Sequence, residues 1–347
     1  MPTTYPDTST ARLPSSDAAG RSPAPPRAPA VLTLLGTGTC CSGPELARRL
    51  GISTSTVRRQ VAALRAAGLD VRTGRRGYRL TRPLDWLDPA AIVAGLPEPV
   101  RVRVGVLENH WRVDSTSSEC LRRALELPNR SFVFADWQVA GRGRRGRDWI
   151  SPPGVNLQVS CFKRFAGGYA ALSGLSLAAG IAAAEALGDC GVVGVGLKWP
   201  NDLVHDDAKL GGILVELGGD SAGPCHAVIG IGINVRVPES VKRRLARPCA
   251  DVAGLVRSTA PSRNALAAAL VARLVETLDA FGADGFSAFA AAWAGHDALV
   301  GRRVRVEGAR GAFEGVAEGV DVRGALRVRC PDGVRDVDSA DVTVRAT

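Results

Sequence analysis

Lysine is scarce in this chain of 347 residues: four lysines, Lys163, Lys198, Lys209 and Lys242, stand against forty arginines, beside one methionine and four scattered histidines. Eight cysteines, at 40, 41, 120, 161, 190, 225, 249 and 330, include no CxxC pair. Neither a zinc site nor a disulfide framework is indicated. Free thiols without a basic-then-apolar leader point to the reducing cytoplasm. Long apolar runs are also lacking. The richest, Leu172 to Gly188, is interrupted by Ser173, Ser176 and Glu185 and falls short of the roughly 20 residues of a membrane span. No membrane partner is expected. With 46% hydrophobic and 22% charged residues, collagen-like, disulfide-scaffold and wholly disordered readings are excluded. The length suggests two or three domains. Only residues 1–29, where Pro14, Pro23, Pro25, Pro26 and Pro29 lie among small polar residues, read as a disordered arm.

The net charge is +10, and ten arginines between Glu45 and Arg82 face only two acids, Glu45 and Asp70. A phosphate backbone is the obvious partner of such a segment. Residues 30–82 read as a winged helix-turn-helix. Val31, Leu32, Leu34 and Leu35 form an apolar patch, and Ser42 caps a helix to Leu50. Gly51 breaks the chain, and Ser53 or Thr54 caps a longer helix in which Val57, Val61 and Leu64 recur at helical spacing. That helix offers Ser55, Thr56, Arg58, Arg59 and Gln60 to a major groove, and a following hairpin carries Arg75 and Arg76 at its tip. A small helical domain with a solvated basic face is the plainer alternative.

After a linker at residues 83–99, a central α/β domain is expected over residues 100–298, opening with a strand from Val100 to Leu107. Asp114-Ser115-Thr116-Ser117 then opens a helix, where hydroxyls are usually only caps. Between Gln138 and Trp149, four arginines interleave with three glycines. Such a loop brings backbone amides and guanidinium forks around phosphate or carboxylate. It has neither the GK[ST] of a P-loop nor the GxGxxG of a dinucleotide fold. Lys198 is placed at a strand end and Lys209 at the start of the next strand; two of four lysines so close together suggest anion handling. With no zinc ligands and no serine or cysteine beside a histidine, the constellation fits activation of a carboxylate by a nucleotide. Asp202 is the nearest carboxylate for Mg2+. Residues 263–293 read as helical. Residues 299–347 alternate valines with polar residues around Gly308, Gly324 and Asp332-Gly333, which fits an SH3-like β-barrel.

The ordered motifs LARRLGISTSTVRRQVAALRAAG, DST, AGRGRRGR, SPPGVNL, KWPND, KLGGILVE and GIGIN resemble those of the bifunctional biotin protein ligases that also act as biotin operon repressors. The likeness runs from about Val31 to the end. It implies an α+β multidomain protein with a winged helix, a mixed α/β domain of the biotin/lipoate ligase type and a small barrel. It further implies that Ser115, Thr116, Ser117, Gln138, Arg142, Gly143, Arg144 and Lys209 bind biotin. Arg144, Arg147, Trp149, Lys198, Asn201, Asp202 and Asn234 would bind ATP, with Lys209, Lys198 and Arg144 acting in catalysis. The reaction would be biotin plus ATP, with Mg2+, to biotinoyl-5'-AMP, then transfer to a lysine of a biotin carboxyl carrier protein. The adenylate would favour a homodimer on operator DNA of biotin-synthesis genes. A DNA-binding biotin sensor without ligase activity, and a lipoate or octanoate ligase, are the alternatives. Two departures stand out: DSTS replaces the family's DSTN at Ser117, and Arg236 to Cys249 contains no aromatic residue.

Overall fold

Three helices begin the winged head: α1 (Ala30–Leu35), α2 (Gly43–Leu50) and α3 (Thr54–Ala66). In this computed structural model, residues 28–245, 247–256, 259–308, 311–338 and 342–346 are described; the arm expected at 1–29 lies almost wholly outside them. Both expected caps are present, Ser42 Oγ accepting from the Glu45 N–H at 3.2 Å and Ser53 Oγ from the Thr56 N–H at 3.1 Å. Gly51 takes a left-handed φ of 62°, which a side chain would strain, and so turns α2 into α3. Val57, Val61 and Leu64 bury one face of α3 against Val31, Leu32, Leu35 and Leu46. Strands β1 (Val71–Gly74) and β2 (Gly77–Leu80) pair antiparallel around Arg75-Arg76. Ser55, Arg58, Arg59, Arg75 and Arg76 are all exposed, while Thr56 is half-buried.

The segment expected as a linker is packed instead. Leu84 and Trp86 complete the core of the head, and Leu87 already belongs to the central core. Asp88 caps α4 (Pro89–Ala94), which buries Ile92. The strand expected from Val100 is also different. Pro99 lies in the first turn of a short helix, α5 (Glu98–Arg101), where its fixed φ suits helix initiation. The first central strand begins only at Leu107.

That strand is β3 (Leu107–His110), followed by α6 (Thr116–Arg122), β4 (Ser131–Ala135), β5 (Leu157–Phe165), α7 (Leu175–Asp189), β6 (Gly196–Lys198), β7 (Asp202–His205), β8 (Ala208–Gly219) and β9 (Cys225–Ile233). The strands form one seven-stranded mixed sheet in the order β3-β4-β5-β9-β8-β7-β6, parallel only between β3 and β4. Period-two alternation separates its faces. Leu157, Val159 and Cys161 on β5 join Ile229, Ile231 and Ile233 on β9 in the main core, with α7. The opposite face carries Gln158, Ser160, Gly230 and Gly232, paired across the same two strands. The span Tyr169–Asp189 is long and apolar enough to cross a membrane, yet it is mostly buried inside the protein.

Helices α8 (Glu239–Lys242), α9 (Val252–Leu255), α10 (Arg263–Asp284) and α11 (Ala290–His296) follow. Helix α10 packs along α7. Strands β10 (Arg303–Gly308), β11 (Gly311–Val320), β12 (Leu326–Cys330), β13 (Gly333–Val337) and β14 (Val342–Ala346) form an antiparallel sheet ordered β13-β12-β11-β10-β14, consistent with the expected small barrel. Its Val304, Val306, Leu326 and Val328 share the main core, and Trp199 Nε1 donates to the Gly324 carbonyl at 3.0 Å.

Candidate active site

A cleft opens on the glycine-bearing face of the central sheet. It is lined by Ser115, Thr116, Ser117, Gln138, Arg142, Gly143, Arg144, Arg147, Trp149, Asn201, Asp202 and Lys209. These residues come from four separate stretches of chain, and the sequence singled out each of them.

The floor is glycine because nothing larger fits. A Cβ on Gly230 would lie 2.6 Å from Ser117 Oγ, and one on Gly232 would lie 2.5 Å from Trp149 Cε2. At one end stands a cluster of buried hydroxyls. The Thr116 N–H donates to Gln138 Oε1 at 2.8 Å; Ser160 Oγ lies 2.8 Å from Thr116 Oγ1 and 3.0 Å from Ser117 Oγ. The expectation that these hydroxyls merely cap α6 is therefore corrected: Ser115 at the N-cap accepts no capping bond, and the side chains are turned into the cleft instead. Asp114 accepts from the Ser115 N–H at 2.8 Å and two bonds from Arg122. The Arg122 guanidinium holds its carboxyl down at about 2.

At the other end is Lys209. Its ammonium is ion-paired to Asp202 and lies 5.8 Å from the centroid of the Trp149 ring. Burial, set against the Asp202 charge, holds its pKa below the ordinary lysine value of 10.5. Arg247, which also lines the cleft, lies 3.6 Å from Asp202. Asn201 donates from Nδ2 to the Ile213 carbonyl at 2.8 Å, which locks the turn beneath Asp202 onto β8.

The arginine-glycine loop is a folded strap over the cleft. The Gly143 N–H donates to the Arg147 carbonyl at 2.7 Å and the Trp149 N–H to the Gly141 carbonyl at 2.8 Å. Arg145 and Gly146 turn the strap with φ of 58° and 68°. Arg142 anchors it to Glu216 on β8 at 2.8 Å. Cationic groups around the cleft suit an anionic ligand whose charge grows during reaction.

Two expected ATP contacts are placed elsewhere. Lys198 does not line the cleft; it sits on the edge strand β6, two strands beyond β8, with its charge near Asp207. Asn234 is occupied in holding backbone, donating from Nδ2 to the carbonyls of Lys209 at 3.1 Å and Ala250 at 3.2 Å. Asp202 is engaged by two cations, and among the described residues no cluster of three His, Cys, Asp or Glu side chains forms a metal cage. Sequence reading missed Ser160, Gln158 and Arg247. The first two sit at polar positions of a strand whose alternate residues are apolar, a pattern visible in Leu157-Gln158-Val159-Ser160-Cys161.

A winged head joined to a sheet-borne cleft with a hydroxyl end, a lysine end and an arginine strap defines a DNA-binding acyl-activating protein. Residues 111–234 match the Biotin/lipoate A/B protein ligase family, residues 27–79 an HTH domain and residues 299–345 the Biotin protein ligase C terminal domain. The chain is 38% identical over 308 residues to the bifunctional ligase/repressor BirA of Escherichia coli, covering 88% of this chain and 92% of that protein. It is 34% identical to the biotin--[acetyl-CoA-carboxylase] ligase of Paracoccus denitrificans, covering 67% of this chain and 97% of the relative. Its fold matches a biotin protein ligase from Aquifex aeolicus in complex with biotin and ATP, with a TM-score of 0.60 at 25% identity over 70% of this chain and 99% of that one. The chain belongs to the biotin/lipoate A/B protein ligase family.

Proposed function

We propose that this protein is an ATP-dependent biotin protein ligase that also represses biotin-synthesis genes through its winged head. The observation that carries the ligase reading is the pairing of opposites in one cleft: buried hydroxyls and amides for a polar ring at one end, a half-buried ammonium for a carboxylate at the other. The kinship to bifunctional ligase/repressors and to a ligase crystallised with biotin and ATP supports the same reading.

Biotin lies with its ring against Thr116, Ser117 and Gln138 and its carboxylate toward Lys209. The carboxylate oxygen attacks the α-phosphorus of ATP, the bond to the β-phosphate oxygen breaks, and biotinoyl-5'-AMP and pyrophosphate form. Lys209 offsets the approach of two anions, and Arg144, Arg147 and Arg247 take up charge at the phosphates. Asp202 would be the carboxylate to meet Mg2+, an ion that keeps mostly phosphate and water ligands and would neutralise the departing pyrophosphate. The strap of Arg142 to Arg147 shields the mixed anhydride from water until the amine of a carrier lysine attacks its carbonyl carbon and releases AMP.

On the regulatory side, biotinoyl-AMP favours a homodimer, and two heads span a two-fold operator. The protein works in the cytoplasm, where carrier and DNA are found. The deciding experiment incubates the protein with ATP, labelled biotin and a carrier domain. Label on the carrier lysine is expected. Adenylate without transfer would reduce the protein to a biotin sensor, and preferential use of octanoate or lipoate would reassign the substrate. Footprinting with and without biotin and ATP tests repression, which predicts protection that needs both.

A further inference from the structure

Gln158 carries a carboxamide to which the mechanism above gives no role. It lines the cleft from β5, is only 1% exposed, and neither its Oε1 nor its Nε2 has a hydrogen-bond partner. Buried amides are almost always satisfied in native proteins, because an unmade bond leaves the full cost of desolvation standing. Trp149 Nε1 is in the same condition, and its ring lies against Gly232, the residue directly across from Gln158 in the β5–β9 pair. Two polar groups with no partner in the protein thus meet at one glycine on the floor of the cleft, placed where a bound ligand can satisfy them.

We propose that Gln158 is a specificity-determining contact whose carboxamide pairs with the cyclic urea of the substrate, donating from Nε2 to the urea carbonyl and accepting a urea N–H at Oε1. The inference rests on the biotin reading. Position favours the ring over the carboxylate. Gln158 shares β5 and its face with Ser160, which holds the hydroxyl cluster, whereas Lys209 lies beyond β9 on β8. Chemistry favours it as well. A primary amide presents donors and acceptor side by side, matching the adjacent N–H and C=O of a urea. A plain acyl chain offers neither, and binding one would leave the amide buried and unpaired. The amide therefore discriminates against fatty acids of similar length, and it adds reach where Ser117 supplies only a short hydroxyl.

The test compares the full-length protein with Gln158→Met, which keeps length and removes both polar atoms. Calorimetry measures binding of biotin and of octanoate without ATP, and thermal unfolding is followed without ligand. Expected is at least about a tenfold loss of biotin affinity, octanoate affinity equal or higher, and a melting temperature no lower than that of the wild type, since no native bond is lost. Biotin affinity within about twofold of the wild type, or a fall in octanoate affinity matching that of biotin, overturns the role of Gln158 while leaving the ligase reading intact. A lower melting temperature would show the amide satisfied within the protein and also overturns it. A wild-type protein that binds no biotin overturns the ligase reading and this inference together.

Discussion

Asp136 and Arg263 form an ion pair of 2.7 Å with side-chain exposures of 0% and 2%. The same guanidinium donates to the carbonyls of Asp85 at 2.6 Å and Asn156 at 2.8 Å, while Asp136 accepts from Asn109 at 2.9 Å. One charge pair therefore ties the segment below the winged head to the end of β4, to the loop before β5 and to the start of α10. Removing one partner leaves the other charge buried and unpaired, at a cost of about 3–5 kcal/mol. Arg263→Ala should lower the urea unfolding midpoint accordingly. The double variant Asp136→Ala with Arg263→Ala should cost less than the sum of the singles; simple additivity would deny the coupling.

Lys209 should set an alkaline limit on activity. Its pKa lies below 10.5 because burial disfavours the charged form, and the charged form is the one that attracts a carboxylate. As pH rises through that lowered value the ammonium is lost, so kcat/KM for biotin should fall there, at a pH below 10.5. Lys209→Met should remove this limb and reduce kcat/KM by about 10²–10³ at neutral pH. A limb that persists in the variant would assign the titration to another group.

Gly232→Ala should close the site without unfolding the protein. The added Cβ would lie 2.5 Å from Trp149 Cε2, so the indole must be displaced from the cleft floor. Biotin affinity should drop by about tenfold or more, a shift of about 1.4 kcal/mol, with little change in melting temperature. Tryptophan emission on adding biotin gives a second measure, since Trp149 lines the cleft.

The exposed arginines of the head should report on phosphate contact. Arg58→Ala with Arg59→Ala should weaken DNA binding and flatten the plot of log affinity against log salt by about two in slope. Carrier biotinylation should be unchanged. An unaltered slope would place the DNA on another surface.

Local signals in the sequence gave the head almost residue by residue. Ser42, Ser53 and Gly51 act within three or four positions of themselves, so their roles need no tertiary knowledge. The cleft was legible where motif and chemistry coincide, in Arg142 to Arg147 and Lys209. It was misread where function depends on partners distant in sequence. Thr116 looked like a cap because its true partners, Gln138 and Ser160, lie 22 and 44 residues away. Lys198 and Lys209 looked equivalent by spacing, but β7 intervenes and carries Lys198 to the sheet edge. Residues 83–99 looked like a tether because their prolines are conspicuous, while Leu84, Trp86, Leu87, Ile92 and Leu96, which bury them, are sparse.

Trp86 belongs to the core of the head and Leu87, its neighbour in the chain, to the core of the ligase. No slack separates the two bodies. In a symmetric pair, the distance between recognition helices would then be dictated by solid protein, as by the jaws of a fixed caliper. Operators with a base pair inserted between their half-sites should be rejected outright, where a protein with heads on strings would simply reach further.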